Sequence, residues 1–582
     1  MSIRATITRG HVVIVALVVT LAGCGPSAPN AVGSGATPAA STSAAAASGS
    51  ASTGATSSAS ASTAGSAATS GSADSSPTGV LTVGLSAETE SLDPYLVYQT
   101  AGTTMMYAIF DPLLTVAPDG TLGPGLATSW RVVDPTTIEL ALRTGVTFHN
   151  GEPFDADAVK FSIYRVLDYD VGTDAPLADA SKKLNSQTQG DYAAIKRVEI
   201  VDPSTVRLHL DHPDAALPAA LGRLFIVPPK YIGQVGNAGF AAKPVGTGPF
   251  SFVSFARDQE TVVTANPGYW DSPRGKPLVA EVHFRPLVDP RARVDEITTN
   301  GIDILQDPPA DQTPTIEGAG GRIAFLDQDP HHQEIWLTTD NGGTLATDPK
   351  TPVTTKEAIA ALAKKDVRLA LNMAVDRQAI IDTLLEGRGE PMNGPFVKGD
   401  LGFDPSLPAY AHDPDAAKQL LRTAGYPNGF DVDVDVCTCD RTDIVESVLA
   451  DLAKVGVRGT IRTFEINQFN QDWAGGKTNP MRFARLGFND PNNYLQFWYK
   501  TGGLLSRYSR PAVDKLVDQQ ATTYDPTARK AVLDQISQIA HDDPPAIYLW
   551  RSPNLYAVGP QVQGWTPHFL GYLPVVNVTV TG

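Results

Sequence analysis

The apolar positions change period along the chain. Val80-Leu81-Thr82-Val83-Gly84-Leu85 reads as a buried strand, and TTIELALR (136–143) alternates as a half-buried one. DADAVKFSIYRVL (155–167) shifts to helical spacing behind an Asp that predicts an N-terminal cap. In KPVGTGPFSFVSF (243–255) a Gly/Pro turn runs straight into a strand. A phosphate-cradling loop needs a helix after its glycines and a Lys at fixed spacing, so these glycines are read as serving backbone geometry. In the second half helix and strand alternate. VRLALNMAVDRQAIIDTLLEG (367–387) carries a helical stripe ending in Gly, and DPDAAKQLLRTAG (413–425) repeats that arrangement. FDVDVDV (430–436), TDIVESVLADLAKVG (442–456) and VRGTIRTFEI (457–466) then follow as strand, helix and strand, the βαβ unit of a parallel sheet. Ligands of such sheets gather beyond the carboxyl ends of the strands. Cys437, Cys439 and Arg441 are therefore expected to point toward a site. MRFARLGF (481–488) predicts another strand, which makes the aromatic stretch ARLGFNDPNNYLQFWY (484–499) a loop at the mouth of a cleft.

The ends differ from this body. Arg4 and Arg9 precede the apolar run VVIVALVVTLAG (12–23), too short for a stable spanning helix and suited to a secretory signal peptide. The run closes on Leu21-Ala22-Gly23-Cys24, which resembles the lipobox of bacterial lipoproteins and implies lipidation of Cys24 after cleavage. Residues 24–78 are almost entirely Ser, Ala, Gly and Thr, too poor in large apolar side chains to repay ordering, and are read as a tether. A net charge of −17 without a Lys/Arg-rich run gives no nucleic-acid footprint. At 582 residues and 42% hydrophobic positions, the chain can bury a large core across more than one domain.

Enzyme signatures are missing. No Gly-x-Ser-x-Gly, His-Glu-x-x-His or Gly-x4-Gly-Lys-Ser/Thr pattern occurs, and the carboxylate pair Asp542-Asp543 before Pro544 is read as closing a surface helix. His331-His332 is a poor chelate because neighbouring side chains on a strand diverge. Cys437-Thr-Cys439 leaves three readings open: a local disulfide, two buried thiols, or soft ligands for a metal or haem-like molecule.

Taken in order, SLDPYLVYQ, YAIFDPLL, DGTLGPGLATSW, LALRTGVTFHNGEPFDADAVKFSIYRV, GTGPFSF, NPGYW and VRLALNMAVDRQAI resemble the family 5 solute-binding proteins of ABC importers, which include dipeptide, oligopeptide and nickel binders. The resemblance spans residues 80–582. It implies an α/β, two-lobed periplasmic-binding-protein-like fold (class II, cluster C type) with an extra subdomain in lobe I and a ligand cleft between lobes. The expected divisions are a signal peptide at 1–23, a tether at 24–78, lobe I at 79–320 with its subdomain at about 115–240, lobe II at 321–553, and a return segment at 554–582. The implied protein is a monomeric, lipid-anchored receptor on the outer face of the cell membrane, without cofactor or catalytic activity. It hands a ligand, a peptide before an opine, sugar, metal or haem complex, to a permease and ATPase. Sensing rather than transport is the alternative for the same tethered receptor.

The resemblance also nominates ligand contacts. Family members place on a loop like that of Arg441 an arginine that receives a ligand carboxylate, for which a planar guanidinium suits. They also keep an aspartate for the peptide ammonium three positions before an Asp-Pro. Here the pair is Asp490-Pro491 and that position is Gly487, so the acid is expected to be missing or supplied by Glu88 or Asp490. Tyr107, Trp336, Cys437, Cys439 and Asn489 complete the candidate set.

Overall fold

The computed structural model describes residues 76–581 except 90, 98, 187, 340–352, 439, 476, 478 and 489. Cys24, Cys439 and Asn489 thus lie outside the described residues, as do the signal segment and nearly all of the tether.

Two mixed sheets organise the chain. The first has seven strands in the order Phe250–Ala256, Glu260–Ala265, Glu281–Pro286, Val80–Leu85, Ile304–Gln306, Tyr556–Val558 and Arg322–Ala324. The second has six, ordered Glu390–Pro391, Ala546–Arg551, His332–Leu337, Met481–Leu486, Phe430–Cys437 and Val457–Phe464. The chain passes from the first sheet to the second over 325–331 and returns over 552–555. A separate four-stranded antiparallel sheet, Ala127–Asp134, Thr137–Leu142, Thr205–Leu210 and Ile195–Asp202, shares its apolar core with the seven-stranded one through Ile138, Leu140, Val206 and Leu208.

Side-chain alternation assigns the faces of the six-stranded sheet. Ile335, Leu337, Met481, Phe483, Ile547 and Leu549 pack with helices Lys365–Ala374 and Thr442–Lys454 on one side. Trp336, Ala484, Leu486, Ala546 and Tyr548 join an aromatic core on the other. Phe430–Cys437 and Val457–Phe464 pair in parallel around helix Thr442–Lys454, the expected βαβ unit. One expectation fails: the 367–387 stripe is two helices, Lys365–Ala374 and Arg377–Leu384, because Asp376 leaves the helix and its carboxylate caps Ala379 N at 3.1 Å. The return segment carries two short strands, Tyr556–Val558 and Val562–Gln563, divided at Gly559-Pro560.

The motifs that carry the resemblance turn out to be structural clamps. Buried Asp111 accepts from Thr247 Oγ1 (3.1 Å), Tyr269 Oη (2.9 Å), Trp270 Nε1 (2.9 Å) and Arg274 Nη1 (2.8 Å), tying three of the quoted segments to one carboxylate. Asp93 pairs with buried Arg165, and fully buried Arg368 donates to Pro544 O at 2.9 Å and pairs with Asp543. Asp542 and Asp543 do close a helix, Pro526–Asp542, but only Asp542 is exposed; half-buried Asp543 also accepts from Arg510 Nε at 2.7 Å. His149 Nε2 donates to Gly248 O at 3.0 Å while its Nδ1 accepts from Gly246 N at 3.3 Å. Burial lowers the pKa of this histidine and keeps it neutral, as that bonding requires.

Gly246 and Gly248 lie directly on the backbone of Ile109. A Cβ at 246 falls 2.0 Å from Ile109 O, and one at 248 falls 2.5 Å from Ile109 C. Gly246→Ala is therefore expected to destabilise the fold by about 3 kcal/mol or more, read as a lowered urea midpoint. A change below about 1 kcal/mol would show that this backbone contact yields at little cost.

Candidate functional site

A cavity of about 650 Å³ opens between the four-stranded region and the loop that follows Met481–Leu486. One wall carries Asp191, the 212–220 segment and Arg223, and the other carries Gly487, Phe488, Asp490, Asn492, Asn493, Gln496 and Lys500. Thr100, Thr103, Pro330, His331 and Phe569 close the base. The two walls touch: Ala215 N donates to Ala521 O at 2.8 Å, and Asp214 N to Tyr524 Oη at 3.1 Å. Tyr524 Oη in turn donates to Pro135 O at 3.1 Å.

The aromatic stretch builds its wall by helical alternation. Asp490 caps the short helix Pro491–Tyr494, its Oδ1 accepting from Asn492 N at 2.8 Å, and a π-turn Leu495–Tyr499 follows. Tyr494, Leu495, Trp498 and Tyr499 turn into the core, while Asn492, Asn493, Gln496 and Phe497 reach the cavity. The core side is aromatic throughout: Trp336 lies 4.7 Å from Trp498 and 5.3 Å from Tyr499 between ring centroids. Beneath it Glu334 accepts from Trp336 Nε1 (2.5 Å) and Tyr494 Oη (2.9 Å). Burial drives the Glu334 carboxyl up to about 8 against those bonds and drives His332 down to about 4. The 3.9 Å approach of His332 Nε2 to Glu334 is consequently one between neutral groups near pH 7.

The two crossings between the large sheets meet at the base of the cavity. Asn554 N donates to Asp329 Oδ2 at 2.9 Å, and Asn554 Nδ2 lies 3.0 Å from His331 Nδ1. His331 Nδ1 is also 2.6 Å from Asp329 Oδ1, so polar contacts tie one crossing to the other. No group of His, Cys, Asp and Glu able to hold a metal occurs among the described residues.

Of the residues singled out from sequence, Gly487 and Asp490 line the cavity. A Cβ at 487 would sit 2.6 Å from His331 Cδ2 and 2.7 Å from Nε2, so the imidazole fills the room an acidic side chain needs. Asp490 is held by Arg529, with bonds of 2.5 and 2.8 Å. Five candidates stand elsewhere. Trp336 is fully buried in the aromatic core and does not face the cleft. Tyr107 is buried, stacked 3.9 Å from Tyr572, with its hydroxyl donating to Gly222 O at 2.9 Å. Glu88 accepts from Thr89 N (2.9 Å) and Asp258 N (2.7 Å) as a loop brace. Arg441 pairs with Asp443 at the surface and donates to Leu384 O at 3.0 Å. Cys437 is buried and disulfide-bonded, which removes it as a soft ligand.

Asp191, Asp214 and Arg223 stand in a segment without a motif, so no local signal marks them. Asp191 keeps some open area on the cavity side, yet burial raises its carboxyl above the usual range, against the charge of Arg223 and a hydrogen bond from Asn493. Burial, with the Asp490 charge adding to it, also raises Asp214. Asn492 and Asn493 could have been found, since they follow the Asp490-Pro491 cap within one turn.

The family described as "Bacterial extracellular solute-binding proteins, family 5 Middle" matches residues 121–505. The chain belongs to this family. Family 5 membership agrees with the relatives. Heme-binding protein A of Haemophilus influenzae is 28% identical over 79% of this chain and 84% of its own length. Di/tripeptide-binding protein 2 of Pseudomonas aeruginosa is 28% identical over 80% of this chain and 88% of its own. The structure of HbpA2 from Haemophilus parasuis superposes with a TM-score of 0.74 at 25% identity, covering 87% of this chain and all of that one. Family 5 proteins are extracellular binding proteins rather than enzymes, and no helix among the described residues is long and apolar enough to cross a membrane.

Proposed function

We propose that this chain is the cargo-binding lipoprotein of an ABC importer, anchored through Cys24. It takes a peptide into the 650 Å³ cavity and delivers it to a membrane permease. The observation that carries the reading is the cavity itself, which falls in the size range of small-ligand sites and lies where two walls from different sheets meet. A wall contact such as Ala215 to Ala521 forms only when the walls are together, and a ligand that touches both walls favours that state through its differential affinity. Lobe I then comprises 79–320, lobe II 321–553, and 554–582 the return, with the polar contacts of Asp329, His331 and Asn554 acting at the hinge.

The test is a melting series of the full chain in detergent against di- to pentapeptides. A peptide at 100 times its Kd stabilises by about 2.7 kcal/mol, so rises of about 3 °C or more are expected for the cargo class. Failure of every peptide to raise the melting temperature would remove peptide cargo. A second reading, a non-peptide carboxylate such as an opine, has its own support. Gly487 and His331 leave no acid at the position where the family resemblance expects the ammonium partner.

A further inference from the structure

The basic side chains lining the cavity nearly all have partners within the protein. Lys500 pairs with Asp518, His212 with Asp211, and His331 with Asp329. Arg223 differs. It lines the cavity half-buried, and among the described residues its guanidinium makes no hydrogen bond and no ion pair within 4 Å. Its backbone is nonetheless fixed: Tyr107 Oη bonds Gly222 O at 2.9 Å and Tyr192 Oη bonds Ala220 O at 3.1 Å. A Cβ on Gly222 would meet Val116 Cγ2 at 2.8 Å, so the turn that presents Arg223 is also tightly packed. A rigid turn thus holds a partly desolvated cation, in the field of the Asp191 carboxyl but without a hydrogen-bonded acid among the described residues, against a space of ligand size.

The acids of the cavity complete the case. Asp490 is committed to Arg529, Asp518 to Lys500, and the surroundings of Asp191 and Asp214 disfavour their charged forms. Arg223 is therefore the cation of the cavity without a hydrogen-bonded acid among the described residues, with Asp191 as its charged neighbour. We infer that Arg223 receives an anionic group of the cargo, a carboxylate bound through the fork of the guanidinium. The inference rests on the cavity being the cargo site and assigns the charge that site selects. On a peptide the group is the terminal carboxylate, held from the wall opposite Gly487.

Calorimetric titration of the full chain in detergent with trialanine, N-acetyltrialanine and trialaninamide tests it. Both free acids are expected to bind about tenfold to a hundredfold more tightly than the amide. Arg223→Gln should weaken the acids by that factor and leave the amide unchanged without lowering the ligand-free melting temperature, and Arg223→Lys should recover part of the loss. Asp191→Asn, which removes the neighbouring acid, should bind the acids at least as tightly as the wild type. Undiminished discrimination between acid and amide in Arg223→Gln overturns the inference. If the wild type binds none of the three, peptide cargo fails separately, and succinate and glutarate become the probes. Carboxylate binding that disappears in Arg223→Gln then sustains the role of Arg223, and no carboxylate binding at all overturns it.

Discussion

Arg529→Met is expected to lower the stability of the full chain by about 3–5 kcal/mol at neutral pH, seen as a large fall in the urea midpoint. Arg529 donates to both oxygens of Asp490 and, through Nε at 3.1 Å and Nη2 at 2.9 Å, to Gln520 Oε1, with both charged side chains mostly buried. Removing the cation leaves a carboxylate at the cavity wall without its partner, which costs more than the pair itself contributes. Asp490→Asn added to Arg529→Met should recover most of the loss, because the stranded charge is gone. The surface pair Arg441–Asp443 provides the contrast: Arg441→Ala is expected to change stability by less than about 1 kcal/mol. Equal effects of the two arginine replacements would contradict the distinction drawn between a built wall and a solvated loop.

Glu334→Gln is expected to remove a pH dependence. The folded carboxyl titrates at about 8 against an ordinary 4.5, so the folded state holds a proton that the unfolded chain has released. The associated stability is complete below pH 4.5 and is lost as pH rises through 8. His332, lowered to about 4 from 6.5, acts in the opposite direction, with stability lost as pH falls from 6.5 toward 4. The two oppose each other below 6.5, and of the two only Glu334 slopes between 6.5 and 8, where buried Asp400, raised to about 7, adds a slope common to wild type and variant. At roughly 1.4 kcal/mol per unit, the wild type should lose on the order of 2 kcal/mol across that window through Glu334. Urea unfolding of wild type and Glu334→Gln at pH 6.5 and 8 reads the difference. Parallel slopes for the two proteins would show that Glu334 is ionised in the fold.

What could be read from the sequence followed from period and caps. The parallel pair around Thr442–Lys454 was visible in FDVDVDV and VRGTIRTFEI because a buried strand and an amphipathic helix carry different apolar spacings. The break at Asp376 was missed because apolar residues on both sides continue one stripe, although an Asp three positions before Ala379 is a cap signal. The stretch 484–499, read as a loop at a cleft mouth, does line the cavity, but Tyr494 and Trp498 stand on helical turns that carry them into the core. The cavity was less legible. Trp336 stands on a strand buried on both faces, where apolar neighbours on either side give no local sign that neither face is the cleft. Arg223 lies in ALGRLF, where nothing local separates a surface arginine from one aimed into a cavity. Only the tertiary meeting of the four-stranded region with the loop at 487–500 reveals the difference. The quoted motifs identified the family by its clamps, such as Asp111 with Thr247 and Trp270, and those clamps hold the scaffold rather than the cargo.

The most direct test of the account is native mass spectrometry of the full chain purified from its own cells, with any bound species released and fragmented. The account predicts a co-purifying peptide with a free terminal carboxylate that is lost from the Arg223→Gln variant. A bound species without an anionic group, retained at wild-type occupancy by that variant, would contradict it.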